Sequence, residues 1–324
     1  MSFKVFVVII FLIIQLLSKG NRKCRALSLE GGALKGAYQV GALRAFLDYL
    51  HPIEYSYQAV AGVSVGSINA NGFALAQIGN ESTTIEVLED IWFHIKLNQI
   101  FKNWDNGGII HGLLFESGIV DTSPERKLIE APSTYYGHHL FRGASFSATN
   151  VNEGKYHSPF NEMNDTNVGD WAMCSSAIAS FFPSQKCNNE YYIDGGSMYG
   201  IDLDAPIKIC RDMGYDDTDI IIDVLPLSPS EVIYTNCTKL TSIEMTWRAR
   251  NIHDIVKKYH ALQDSYYYND KVNWRYLIEP NQTLPVEILG FIPLSTDPAK
   301  IRKTYEMGYN DSLKAIKNNS KIHF

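Results

Sequence analysis

Three short stretches of this sequence carry side chains whose types and spacing suit nucleophilic chemistry. In Gly62-Val63-Ser64-Val65-Gly66 a serine stands between two glycines. A serine on a tight strand-to-helix turn is held in a strained backbone conformation, and glycines two positions either side leave room for that turn. Its hydroxyl then projects at a helix N-terminus, where the dipole favours developing negative charge. Roughly 30 residues earlier lies Glu30-Gly31-Gly32-Ala33-Leu34-Lys35-Gly36. There, small residues let backbone N–H groups converge on one oxyanion or phosphate. The third stretch, Tyr192-Ile193-Asp194-Gly195-Gly196, offers a carboxylate at a strand end, able to approach another loop and take a proton. Each has a plainer reading as well: a glycine-packed βα turn for the first two, and an ordinary Asp-Gly-Gly turn for the third. The loop lacks both the Gly-Lys-Ser/Thr ending of a phosphate-binding P-loop and the spacing of a dinucleotide fingerprint.

The patterns around these stretches say what positions them. Arg25 to Leu29 is a short, partly apolar run ending at the glycine loop, after which Val40, Leu43, Leu47 and Leu50 recur at helical spacing. Tyr57 to Ala61 leads into the serine turn, and Val65, Ile68, Leu75 and Ile78 continue a helical stripe. Two strand-turn-helix units in succession predict an α/β fold, a mainly parallel sheet covered by helices. Thr83 to Tyr136 reads as looser helical cover that could form a lid. Phe141 to Thr149 and Ile220 to Leu225 read as strands, Trp171 to Ser180 as a helix, and Thr241 to Tyr268 as a long helix. Val286 to Leu294 is a further apolar run. A last helix after Pro298 carries Ile301, Tyr305, Tyr309, Leu313 and Ile316 on one face. No internal repeat or Pro/Ser-rich linker divides the chain, so one domain is expected over residues 21–324.

Taken in this order, the three stretches resemble the patatin-like phospholipase family of acyl hydrolases, over Ala26 to about Pro206. Ser175-Ser176-Ala177-Ile178-Ala179 with Phe181-Phe182-Pro183 also looks like that family's helix ahead of its aspartate. The resemblance implies a three-layer α/β sandwich, with Ser64 as nucleophile, Asp194 as general base, and Gly31, Gly32 and Ala33 as the oxyanion loop. Lys35, Gly36, Gly62, Gly66, Gly195 and Gly196 complete the motifs. It implies no metal or organic cofactor, a membrane glycerolipid substrate and transient contact with a membrane interface. Glu30 stands where the family usually has Asp, and Ala33 where it usually has a third Gly. A backbone N–H survives both changes, but Ala restricts φ. Two other readings stay open: an α/β-hydrolase with a Ser-His-Asp triad using His253 or His260, and a non-catalytic storage or lipid-binding protein.

The 324 residues are 45% hydrophobic and 20% charged, enough to bury a large core, with a net charge of −6 that argues against a dedicated nucleic-acid binder. Lys4, the apolar run Val5 to Leu17, and the small Ser18 and Gly20 read as a signal peptide over residues 1–20, with an uncleaved anchor as the lesser reading. Six Asn-x-Ser/Thr sequons, at Asn80, Asn164, Asn236, Asn281, Asn310 and Asn318, add to the expectation of a glycosylated protein, secreted or held in a vacuolar or lysosomal lumen. Five cysteines allow up to two disulfides and leave at least one thiol over, and their spacing matches no zinc pattern. Oligomeric state and headgroup preference are not readable. Tyr266-Tyr267-Tyr268 and Trp92-Phe93 read as core packing ahead of an acyl pocket or lipid contact.

Overall fold

The computed structural model describes residues 22–319, so the expected leader at 1–20 lies outside the described residues. The first strand, β1 (Cys24–Leu29), is buried along almost its whole length, as the position of a central strand in a sheet covered on both faces requires. It is followed by helix α1 (Gly36–Tyr49), β2 (Ala59–Val63) and α2 (Val65–Leu75). Next come α3 (Glu81–His94), α4 (Gly108–Phe115) and α5 (Ser123–Tyr136), which occupy the stretch expected to be helical cover. The chain then forms β3 (Gly143–Asn150), β4 (Lys155–His157), α6 (Val168–Ser176), β5 (Gln185–Cys187) and β6 (Glu190–Asp194). It continues with α7 (Asp204–Asp212), β7 (Ile220–Leu225), α8 (Ser242–Tyr268), β8 (Asn273–Leu277) and α9 (Pro298–Asn318).

The strands form one sheet in the order β5-β6-β3-β2-β1-β7-β8, with β4 paired to β3. The five strands from β3 to β8 on this path run parallel, whereas β6 is antiparallel to β3 and β5 to β6. Alternating residues divide the core between the two faces. Leu27, Leu29 and Val60 pack with α1 and α2 on one side, while Ala26, Ala59 and Ile222 pack with α7 and with Leu262 of α8 on the other. The fold is therefore α/β in three layers. The apolar run Val286 to Leu294 forms no strand; it is a turn-rich segment with one bridge between Ile288 and Ile292. Two disulfides, Cys24–Cys210 and Cys174–Cys187, tie β1 to α7 and α6 to β5, and Cys237 is the free thiol. Among the described residues no helix is long and apolar enough to cross a membrane.

The topology fixes where a site can form. From β1 the chain steps outward to β2 and β3, and it later returns to place β7 on the other side of β1. Such a reversal opens a crevice at the carboxyl ends of the parallel strands. The glycine loop leaves the end of β1, and the serine turn leaves the end of its neighbour β2. The sheet register brings in the third motif, because Val63 lies opposite Ser147 and the next residue of β3, Ala148, lies opposite Asp194. Antiparallel β6 thus ends at the level where β2 ends, with one strand between them.

Candidate active site

Ser64 occupies φ 54° and ψ −128° between β2 and α2, a conformation L-residues rarely adopt. The turn is held from three directions. Its N–H donates to Ser175 Oγ at 2.9 Å, and that hydroxyl donates to the Ser147 carbonyl at 2.7 Å. Its carbonyl accepts from Ser67 N–H at 2.8 Å and from Ser67 Oγ at 2.6 Å. The two flanking glycines are needed for close approach. A Cβ at Gly62 would lie 2.3 Å from the Gly66 carbonyl oxygen, and one at Gly66 would lie 2.3 Å from the Leu29 carbonyl oxygen.

Asp194 is buried, and its backbone N–H donates to the Ala177 carbonyl at 2.8 Å. Its Oδ1 accepts the Gly196 N–H at 2.7 Å, and Asp194 shares a cavity wall with Ser64. Burial pushes this carboxyl above the ordinary aspartate range. The Arg250 guanidinium, the Ser64 hydroxyl and the Gly196 N–H pull the other way, while Asp254 adds a smaller upward push. Gly195 lets the motif lie against β3, since a Cβ there would meet the Ser147 carbonyl oxygen at 2.5 Å.

The glycine loop closes over the serine turn. A Cβ at Gly31 would lie 2.9 Å from the Ser64 Cβ, which is why this position tolerates no side chain. Of the three loop residues, Gly31 has its N–H committed, donating to the Gly200 carbonyl at 2.8 Å. Gly32 and Ala33 keep theirs without a backbone acceptor among the described residues. Ala33 adopts φ 48°, the left-handed region that a third glycine would enter freely. Glu30 anchors the loop: its buried carboxylate accepts from the Leu227 N–H, from the Ser228 N–H at 3.0 Å and from Ser228 Oγ at 2.8 Å. Lys35 is buried, 3.9 Å from Glu287, and Gly36 opens α1 where a Cβ would strike the Trp92 ring.

Two cavities meet at Ser64. One, about 690 Å³ counting its open part, has charged and polar side chains in its wall, among them Glu30, Asp194, Arg250, Asn251 and Asp254, beside apolar ones such as Trp247 and Phe291. The other, about 600 Å³ on the same basis, is apolar, with Ile68, Trp92, Ile100, Phe101, Leu128 and Phe182 among its lining. Ala33, Ser64 and Ile178 belong to both. Neither wall contains a histidine, and His253 and His260 stand exposed on α8. Trp92 does line the apolar cavity, whereas Tyr267 and Tyr268 are exposed and pack in no core. Among the described residues no group of three or more metal-ligating side chains comes together. All six sequon asparagines are exposed; Asn310 and Asn318 lie within α9.

Sequence reasoning missed Ser175 as the group that holds the serine turn, although it falls in a segment singled out for its family likeness. It also missed Gly200, Arg250 and Glu125, the last a buried acid in the apolar wall. Nothing local marks these, since each acts through a contact made across the fold.

No curated protein gives a significant match to the chain. Among solved structures, the crystal structure of VipD from Legionella pneumophila aligns with 12% identity and a TM-score of 0.46, covering 92% of this chain and 67% of that one. The model of the family described as patatin-like phospholipase matches residues 27–207, more than half of the chain and all three motifs. This chain belongs to the patatin-like phospholipase family.

Proposed function

We propose that this protein hydrolyses fatty-acyl esters of membrane glycerolipids through a Ser64–Asp194 dyad. The observation that carries the reading is the position of Ser64 where a cavity with charged side chains in its wall, which we take as the polar one, meets an apolar cavity, against a buried carboxyl. An acyl chain in the apolar cavity and a headgroup in the polar one put the ester carbonyl over Ser64 Oγ. Asp194 takes the hydroxyl proton as Oγ attacks the carbonyl carbon, and the N–H groups of Gly32 and Ala33 hold the resulting oxyanion. Collapse expels the alcohol half of the lipid, which receives the proton from Asp194. A water then gives its proton to the same carboxylate and attacks the acyl-serine; the acyl–Oγ bond breaks, Oγ takes that proton back from Asp194, and the fatty acid leaves. Gly31 serves by close approach, with its own N–H committed to Gly200.

The absence of histidine from both cavity walls favours the dyad over a triad. The two disulfides support a secretory route for the one domain at 21–324, ending outside the cell or in a vacuolar or lysosomal lumen. Mass-spectrometric fatty-acid release from mixed phospholipid and galactolipid vesicles tests the reading. Wild type is expected to release fatty acid under metal chelation, while Ser64→Ala and Asp194→Asn fall by a factor of at least about 10³. Full activity in Asp194→Asn, or a comparable loss in His253→Ala or His260→Ala, overturns the dyad. No release by wild type removes the enzymatic reading in favour of a storage or lipid-binding role.

A further inference from the structure

The wall of the apolar cavity is made of Ala, Leu, Ile, Val, Trp and Phe side chains, with three polar exceptions: Ser64, Ser176 and Glu125. Ser64 has a role in the proposed chemistry and Glu125 has none. Glu125 is 4% exposed, stands at the third position of α5, and shares that helix's inward face with Leu128 and Ile129. A glutamate at this position often serves the helix end, but α5 has no side-chain cap bond at Thr122. The Ser176 hydroxyl lines the cavity beside it but donates to the Met173 carbonyl at 3.4 Å, and among the described residues Asp194 is the charged group that bears on it, by repulsion. Burial without a cation pushes the carboxyl up to about 8, so at neutral pH it is chiefly a neutral acid, able to donate as well as accept a hydrogen bond.

A plain alkyl chain filling this cavity strips water from the acid and offers nothing in return. A chain carrying an oxygen function at the right carbon restores the missing bond. We propose that Glu125 is a recognition point for an oxygen on the acyl chain, so that the cavity selects hydroxylated fatty-acyl esters over plain ones. The inference rests on the reading that Ser64 cleaves an ester whose acyl chain lies in this cavity. Sites built to hydrogen-bond a substrate hydroxyl discriminate against the analogue lacking it, because the protein group is then left unpaired.

The test is a competition in which phosphatidylcholine vesicles present equal amounts of plain and monohydroxylated acyl chains of one length. The hydroxyl is moved along the chain in separate runs, and released fatty acids are counted by mass spectrometry. Because both substrates meet the same enzyme, the product ratio is independent of how much of it is folded. Wild type is expected to favour one hydroxyl position by about tenfold, the worth of one added hydrogen bond. Glu125→Leu brings that ratio to about one, while Glu125→Gln, which still donates, keeps most of it. A wild-type ratio near one at every position overturns the inference with no variant needed, as does an unchanged ratio in Glu125→Leu. Release from neither substrate, with no difference from Ser64→Ala, is instead the failure of the hydrolase reading itself.

Discussion

Replacing Glu125 by glutamine should convert a pH-dependent protein into one markedly less so. In the unfolded chain this carboxyl titrates at 4.5, and burial among apolar side chains raises it to about 8 in the fold. A carboxyl whose folded value is raised contributes its full stability below the unfolded value and loses it as pH climbs toward the folded one. Between pH 5 and pH 8.5 that linkage removes about 4 kcal/mol from the wild type, at 1.36 kcal/mol per pH unit. Glutamine has the same shape and never ionises. Urea unfolding of both proteins, followed by far-ultraviolet circular dichroism at half-unit pH steps, reads the difference. The stability gap in favour of Glu125→Gln should be under about 1 kcal/mol at pH 5 and widen to about 4 to 5 kcal/mol by pH 8.5. A gap that stays constant across that range refutes the reasoning, because it means that Glu125 titrates as an ordinary solvated carboxylate. The polar contrast in the cavity wall would then be lost too.

Three further outcomes follow from the same geometry. Arg250 helps to keep the raised Asp194 carboxyl down, so Arg250→Gln should move the acid limb of kcat/KM toward higher pH; a limb that stays put or moves lower removes Arg250 from the site's electrostatics. The Cys24–Cys210 bridge spans a sequence separation of 186 and Cys174–Cys187 one of 13, so loop-closure entropy predicts losses of about 5 and about 3 kcal/mol when each pair is changed to serine; equal or reversed losses in chemical unfolding would count against it. Ala33→Gly relieves about 1 to 2 kcal/mol of left-handed strain against a gain of about 0.4 to 1 kcal/mol in unfolded-chain entropy. It should therefore leave Tm unchanged or slightly raised, and a fall of several degrees would show that Ala33 does more than donate an N–H.

The local grammar of this fold is legible because it follows from single segments. Arg25 to Leu29 and Ile220 to Leu225 read as strands from their short, largely apolar runs, broken only by Ser28 and Asp223 after the leading Arg25, and the register pairs these two segments directly. The helix after Pro298 reads from its 3.6-residue stripe, with Ile301 buried on that face. Gly62 to Gly66 announces its turn, since only small residues fit where a Cβ would meet carbonyl oxygens at 2.3 Å. Short β4, β5 and β8 are illegible, because strands of three to five residues have too few positions for a period to show.

The sequence by itself determined which residues could do chemistry and in what order they come: a glycine loop, a serine turn and a strand-end aspartate, each written in contiguous residues. Only the tertiary structure decided how they act together. Sheet register brings Asp194 level with the end of β2, the Gly200 carbonyl takes the Gly31 N–H, and Ser175 holds the serine turn across 111 residues. The placement of Glu125 in an apolar wall is of the same kind. The physical reason is that backbone preference is local, while hydrogen-bond partnership, burial and the field at a carboxyl depend on which distant segments the packed sheet makes neighbours.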